Sequence, residues 1–144
     1  MASSIPFHVD VRTQYLPEQS RPAQGLYRFA YTIRITNSGP QAGQVIARHW
    51  WIRHGDGQTE QVRGLGVVGA QPLLKPGETF EYTSACQLRT PTGAMRGHYL
   101  CVTEEGQVFE SPIAEFTLDA YARERPDAAL ARELSLPPGP RVLH

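Results

Sequence analysis

Three glycines, Gly64, Gly66 and Gly69, stand in the order G-x-G-x-x-G. That spacing can cradle a pyrophosphate, because the glycines permit a tight turn and let backbone N–H groups approach phosphate oxygens. The chemistry needs a strand before the loop and a helix after it. Here the chain continues as Ala70-Gln71-Pro72-Leu73-Leu74-Lys75-Pro76-Gly77-Glu78. Pro76 inside a helix would remove a donor and clash with the preceding turn, and Pro-Gly is a turn signal. The acidic residue required about twenty residues on is missing, since residues 83–88 read Thr-Ser-Ala-Cys-Gln-Leu. A phosphate loop of the Gly-Lys-Ser/Thr kind is also absent. What survives is a nest of backbone amides, which can bind an anion without a helix. Arg63 and Lys75 are the nearby cations for it, with Arg48 if the strands bring it round. The plainer reading is that the glycines allow positive φ or close packing.

Other residue types offer less. His49, His54 and His98 could combine with Cys86 or Cys101 only if their nitrogens and sulfurs converged, as a cobalt or zinc site requires. On a strand, residues two apart share a face. His49 and His54 are five apart, and His98 and Cys101 three apart, so each pair is opposed. No metal site is expected. Ser84, Cys86 and Cys101 are nucleophiles by type, but no pattern sets a base and an orienting carboxylate beside any of them. The chain therefore reads as non-enzymatic, with no catalytic residue and no cofactor. Trp50 and Trp51 are adjacent, so one faces the core and the other faces out. The outward one is either covered by the C-terminal tail or an anchor in a contact surface.

The elements that position these residues are strands. Phe7, Val9 and Val11 alternate with His8, Asp10 and Arg12. Tyr27, Phe29, Tyr31, Ile33 and Ile35 form the longest alternating run, ended by Asn37-Ser38-Gly39-Pro40. A strand over 45–54 turns at Gly55-Asp56-Gly57 into 58–63, a hairpin. Further strands are read over 79–88, 98–103 and 108–118, with turns at 90–93 and 104–106. Seven or more short strands without a long amphipathic helix mean an all-β chain. A sandwich of fibronectin type III or immunoglobulin kind fits best, and the absent Cys…Trp…Cys spacing favours the former. Residues 1–119 make up this domain. Residues 120–144, rich in Ala, Arg and Pro, read as a peripheral tail, either disordered or with a short helix over 128–136 that Pro137 would end.

Composition sets the remaining bounds. The 144 residues suit one domain. Lys and Arg number 14 against 14 Asp and Glu, so no broad electrostatic footprint for nucleic acid is expected. No apolar run approaches a membrane span, and Met1-Ala2-Ser3-Ser4-Ile5-Pro6 lacks a signal-peptide pattern. A cytoplasmic protein with two reduced thiols is the expectation. A structural disulfide, in oxidising surroundings, is the alternative.

Five segments, in this order and spacing, resemble the ApaG family. They are Arg48-His49-Trp50-Trp51-Ile52, residues 62–72 around the glycine loop, and Pro76-Gly77-Glu78-Thr79-Phe80-Glu81-Tyr82-Thr83-Ser84. Gly93-Ala94-Met95-Arg96-Gly97-His98-Tyr99 and Ile113-Ala114-Glu115-Phe116-Thr117-Leu118 complete the set. The resemblance runs from about residue 7 to 119, and the tail looks like a private extension. It implies a fibronectin type III-like sandwich with no established enzymatic activity. It implies an association with cobalt tolerance and magnesium efflux in bacteria. Related domains occur in eukaryotic F-box proteins and a polymerase-delta-interacting protein, which suggests a protein-interaction module. The family's glycine motif, read as a pyrophosphate site, falls here on Gly64, Gly66 and Gly69. The expected function is therefore a non-catalytic module that binds a protein partner, a homodimer being one such arrangement. The alternative is a sensor that binds pyrophosphate or a nucleotide at the glycine loop.

Overall fold

The computed structural model describes residues 6–122. Eight strands run through them: β1 (Phe7–Tyr15), β2 (Tyr27–Asn37), β3 (Gly43–His54), β4 (Thr59–Leu65), β5 (Leu73–Leu74), β6 (Thr79–Leu88), β7 (Thr92–Thr103) and β8 (Val108–Asp119). One antiparallel sheet has the order β1-β2-β6. The other has the order β4-β3-β7-β8, with β5 also paired to β3. Three strands facing five, the short β5 included, make the fibronectin type III-like sandwich expected from the strand pattern. The tail segment 128–136, read as a short helix or disordered, lies outside the described residues.

The alternation sorts side chains as period two requires. Phe29, Tyr31, Ile33 and Ile35 of β2 are fully buried against Val45, Trp50, Ile52, Met95, Tyr99 and Leu118 of the facing sheet. Each such side chain contributes about 1.5–3 kcal/mol on burial. Trp50 sits at the centre, edge-on to Tyr31 at 5.6 Å and to Phe116 at 5.9 Å. Two phenols bridge the sheets: the Tyr82 and Tyr99 hydroxyls lie 2.6 Å apart. Burial holds both in the neutral form by raising their pKa values.

Two departures from the sequence reading bear on the site. Strand β7 begins at Thr92 rather than at His98. Its first half contains Gly93 and Gly97, which carry no side chain to mark the alternation. At Gly97 a Cβ would lie 2.1 Å from the His49 carbonyl oxygen, so β7 packs there through bare backbone. The second departure is β5, two residues long, which pairs with Gly43 and Gln44 of β3. Thus β4 and β5 share one edge of β3, and the glycine loop is the detour between them. Opposite that detour, β3 carries a bulge between Val45 and Ala47, leaving Ile46 as the extra residue.

Candidate functional site on the two faces of strand β3

The glycine loop is a piece of β hairpin. Val67 N–H donates to the Ala70 carbonyl at 2.8 Å, and Ala70 N–H returns a bond to Val67 at 2.9 Å. Val68 and Gly69 between them have φ of 43° and 82°, the signs a primed two-residue turn needs. Val68 is β-branched, so this conformation is strained, by roughly 1–2 kcal/mol. Its side chain packs on the core while Val67 is fully buried, which helps to hold the turn. Gly66 has φ of 65°, and a Cβ there would lie 2.4 Å from the Ala70 oxygen. The loop is tied down at the bulge: the Ile46 carbonyl accepts from Gly66 N–H at 2.7 Å and from Gln71 Nε2 at 3.0 Å.

Arg48 fills the space beside this loop. It pairs with Gly64 on one side and buried Tyr99 on the other, so its side chain points inward. Its Nη1 donates to the carbonyls of Leu65 at 2.9 Å and Gly66 at 3.0 Å. A Cβ on Gly64 would meet the guanidinium at 2.7 Å. Gly64 therefore leaves room for an arginine of the same chain, and the loop turns two carbonyls toward it. The other proposed cations sit elsewhere. Arg63 projects to the opposite, outer face with His49. Lys75 opens a tight turn in which its N–H donates to Glu78 Oε1 at 2.7 Å.

The outer face of β3 is built by register. His49 lies opposite His98 and Trp51 opposite Arg96 on β7. On β4 the same residues face Arg63 and Gln61. These pairings gather a cluster around the outward tryptophan. His49 stacks on Trp51 with ring centroids 3.8 Å apart, and the Arg96 guanidinium carbon lies 4.6 Å from the indole centroid. His98 is 5.2 Å from His49 and 5.6 Å from Trp51. His49 Nε2 is 2.9 Å from Gln61 Oε1 and 3.3 Å from Arg63 Nε. The first contact uses a protonated Nε2 and the second an unprotonated one, so the ring donates to Gln61 or accepts from Arg63 according to its tautomer. Glu110 pairs with His98 at 3.2 Å, and Glu115 with Arg53 at 3.3 Å. Leu65 and Leu100 border the cluster, 76% and 38% exposed.

The remaining reactive types are buried. Burial pushes the Cys86 and Cys101 thiols up to about 12, and both are free. Ser84 is buried as well. His54 points inward, its Nδ1 accepting from Arg89 N–H at 3.1 Å, so it stands on the other side of β3 from His49. Among the described residues, no group of three His, Cys, Asp or Glu could hold a metal ion. No helix there is long and apolar enough to cross a membrane. A cavity of about 740 Å³ opens at one end of the sandwich, lined by Pro6, Phe7, Pro40, Gly43 and Phe109, with Glu110 the single charged residue among the described ones.

Residues 17–103 match the family model described as the ApaG domain. This chain belongs to the ApaG family. The ApaG protein of Acidovorax sp. (strain JS42) is 54% identical over 136 residues, covering 94% of this chain and 93% of the relative. That of Bordetella pertussis is 63% identical over 110 residues, covering 76% of this chain and 84% of the relative. A crystal structure of the Bordetella pertussis protein designated ApaA superposes with TM-score 0.78 at 60% identity, covering 80% and 94% of the two chains. A second crystal structure, a structural genomics target, gives TM-score 0.77 at 39% identity, covering 85% and 92%. The Acidovorax match, at 136 residues, is longer than the sandwich that ends at Asp119. It reaches into residues 120–144, so the tail is not confined to this chain as the sequence reading had it.

Within this ApaG domain, sequence reasoning named Trp51 and missed its partners. Gln61 is a polar strand residue without a local signal, and Arg96 lies in a segment that marks the family but gives it no role. Only the β3–β7 and β3–β4 registers bring them to the indole. Arg48 was named for an anion, and the structure gives it two carbonyls.

Proposed function

We infer that this ApaG domain is a non-catalytic protein-interaction module whose contact surface is the outer face centred on Trp51. The carrying observation is the half-buried indole set among His49, Arg96 and His98, beside exposed Leu65 and Leu100. Tryptophan and arginine dominate the energetics of protein contacts, while scattered polar groups add specificity. The two thiols support the non-catalytic reading, since burial keeps them protonated and out of reach. Free buried cysteines also agree with a cytoplasmic setting. On this reading, the family's association with cobalt tolerance and magnesium efflux runs through a partner. Affinity capture with the wild-type chain and Trp51→Ala tests it. The expected result is a partner retained by the first and lost by the second, at matched unfolding midpoints. A set of captured proteins unchanged by the substitution overturns it.

A second reading is anion sensing at the glycine loop, and the strained φ of Val68 favours it, because strain is often stored at functional sites. It weighs less, because the adjacent arginine is engaged by the loop's own carbonyls. Pyrophosphate at 100 times its dissociation constant would add about 2.7 kcal/mol of stability. A flat thermal-shift response to pyrophosphate and nucleotides removes this reading.

A further inference from the structure

The outer face is not balanced in charge. Arg53, Arg63, Arg96, His49 and His98 stand on it, with Glu110 and Glu115. Each glutamate already has a partner, His98 and Arg53 respectively. Arg63 has a histidine beside it and Arg96 an indole, and among the described residues neither has a carboxylate. The chain as a whole has no net charge, so this local excess is a matter of placement.

We propose that this face receives a carboxylate-rich segment of a partner protein, with Arg63 and Arg96 binding its acidic side chains on either side of Trp51. The proposal rests on the interaction-module reading and names the partner's chemistry. Guanidinium groups match carboxylates in planar, two-pronged geometry. Leu65 and Leu100 give the segment apolar contacts at the border of the same surface. A nucleic acid fits less well. Its bases would have to displace His49 or Arg96 from the indole, and its phosphates would meet Glu110 and Glu115. A second copy of this chain also fits less well. A two-fold contact centred here would offer Arg63 and Arg96 only Glu110 and Glu115 of the other copy, which are already paired with His98 and Arg53.

The test uses the full chain and a short fluorescent peptide of Glu, Leu and Ser, with its Gln-for-Glu counterpart and a single-stranded thymidine oligonucleotide as comparison probes. The expected result is binding of the Glu peptide at least about tenfold tighter than the Gln peptide, weakening as salt is added. Arg63→Glu and Arg96→Glu should each weaken it about tenfold or more, and Arg63→Gln and Arg96→Gln by less, at unchanged unfolding midpoints. Equal binding of the Glu and Gln peptides overturns the proposal, as does preferred binding of the oligonucleotide. So does self-association of the chain that Trp51→Ala abolishes. If partner capture stays dependent on Trp51 while both peptides bind alike, the acidic segment falls and the interaction module stands. If capture is indifferent to Trp51, the module reading falls too.

Discussion

The two faces of β3 treat cations in opposite ways. On the inner face Arg48 reaches the glycine loop and donates to two of its carbonyls, and Gly64 is bare so that the guanidinium fits. On the outer face Arg63 reaches the His49 ring nitrogen and Arg96 the Trp51 indole, and among the described residues neither has a carboxylate. The inner arrangement is closed: donors and acceptors of the same chain meet, and the motif that looks most chemical supports the fold. The outer arrangement is open: no spacing there spells a known chemistry, although His49, Trp51, Arg96 and His98 lie in segments that mark the family, and it keeps charge and indole surface for something else. A conspicuous spacing and a binding surface are therefore different things in this domain, set back to back on one strand.

Four experiments sharpen or break that contrast. The largest effect is expected at Trp50. Trp50→Ala removes the central core aromatic and should cost about 3–5 kcal/mol, read from denaturant unfolding. Trp51→Ala should change stability by about 0.5 kcal/mol or less while abolishing capture. Equal losses at both positions would erase the distinction between the faces. Gly66→Ala comes next, at about 2–3 kcal/mol, because it must hold a left-handed φ against the Ala70 backbone.

The thiols give an effect of pH. Each has a pKa of about 12 in the folded chain against an ordinary value of 9.0. Above that ordinary value the unfolded chain loses these protons and the folded chain keeps them. Their contribution to stability is therefore complete below about pH 9 and is lost as pH rises toward 12. Cys86→Ala with Cys101→Ala should flatten this decline in alkaline unfolding curves. A thiol reagent should label native protein slowly and unfolded protein fast, and fast native labelling would show the thiols to be reachable.

The smallest effect is the most specific. Gly64→Ala displaces only the end of a flexible side chain, so about 1 kcal/mol is expected. In an Arg48→Ala background that cost should vanish, giving a coupling energy of about 1 kcal/mol in a double-mutant cycle. Additive losses would mean that Gly64 is needed for some reason other than Arg48.

Much of the fold was legible because period two is a local property. The runs at 27–35 and 79–88 alternate along the chain, the first with a large apolar side chain at every second residue, and both are strands. Two strands were not legible in full. The first half of β7 carries Gly93 and Gly97, and β5 is two residues long, so neither leaves an alternating trace. Of the candidate site, Trp51 was legible as a contact residue and Arg63 only as a cation for the glycine loop. Adjacent tryptophans must point to opposite sides of a strand, but nothing local says which side is inner.

The sequence by itself determined that this is an all-β chain of the ApaG family, that a helix cannot follow the glycine loop, and that one tryptophan of the pair faces out. These follow from side-chain spacing, proline chemistry and motif order, all of which act within a few residues. Tertiary structure alone decided that Trp50 is the inner one, that Arg48 lands on the Leu65 and Gly66 carbonyls, and that His98, Arg96, Arg63 and Gln61 gather on Trp51. Those outcomes depend on the register of β3 with β4 and β7 and on the extra residue at Ile46. A shift of one residue in that pairing would exchange the two faces, and the pairing is fixed by burial across the whole sandwich.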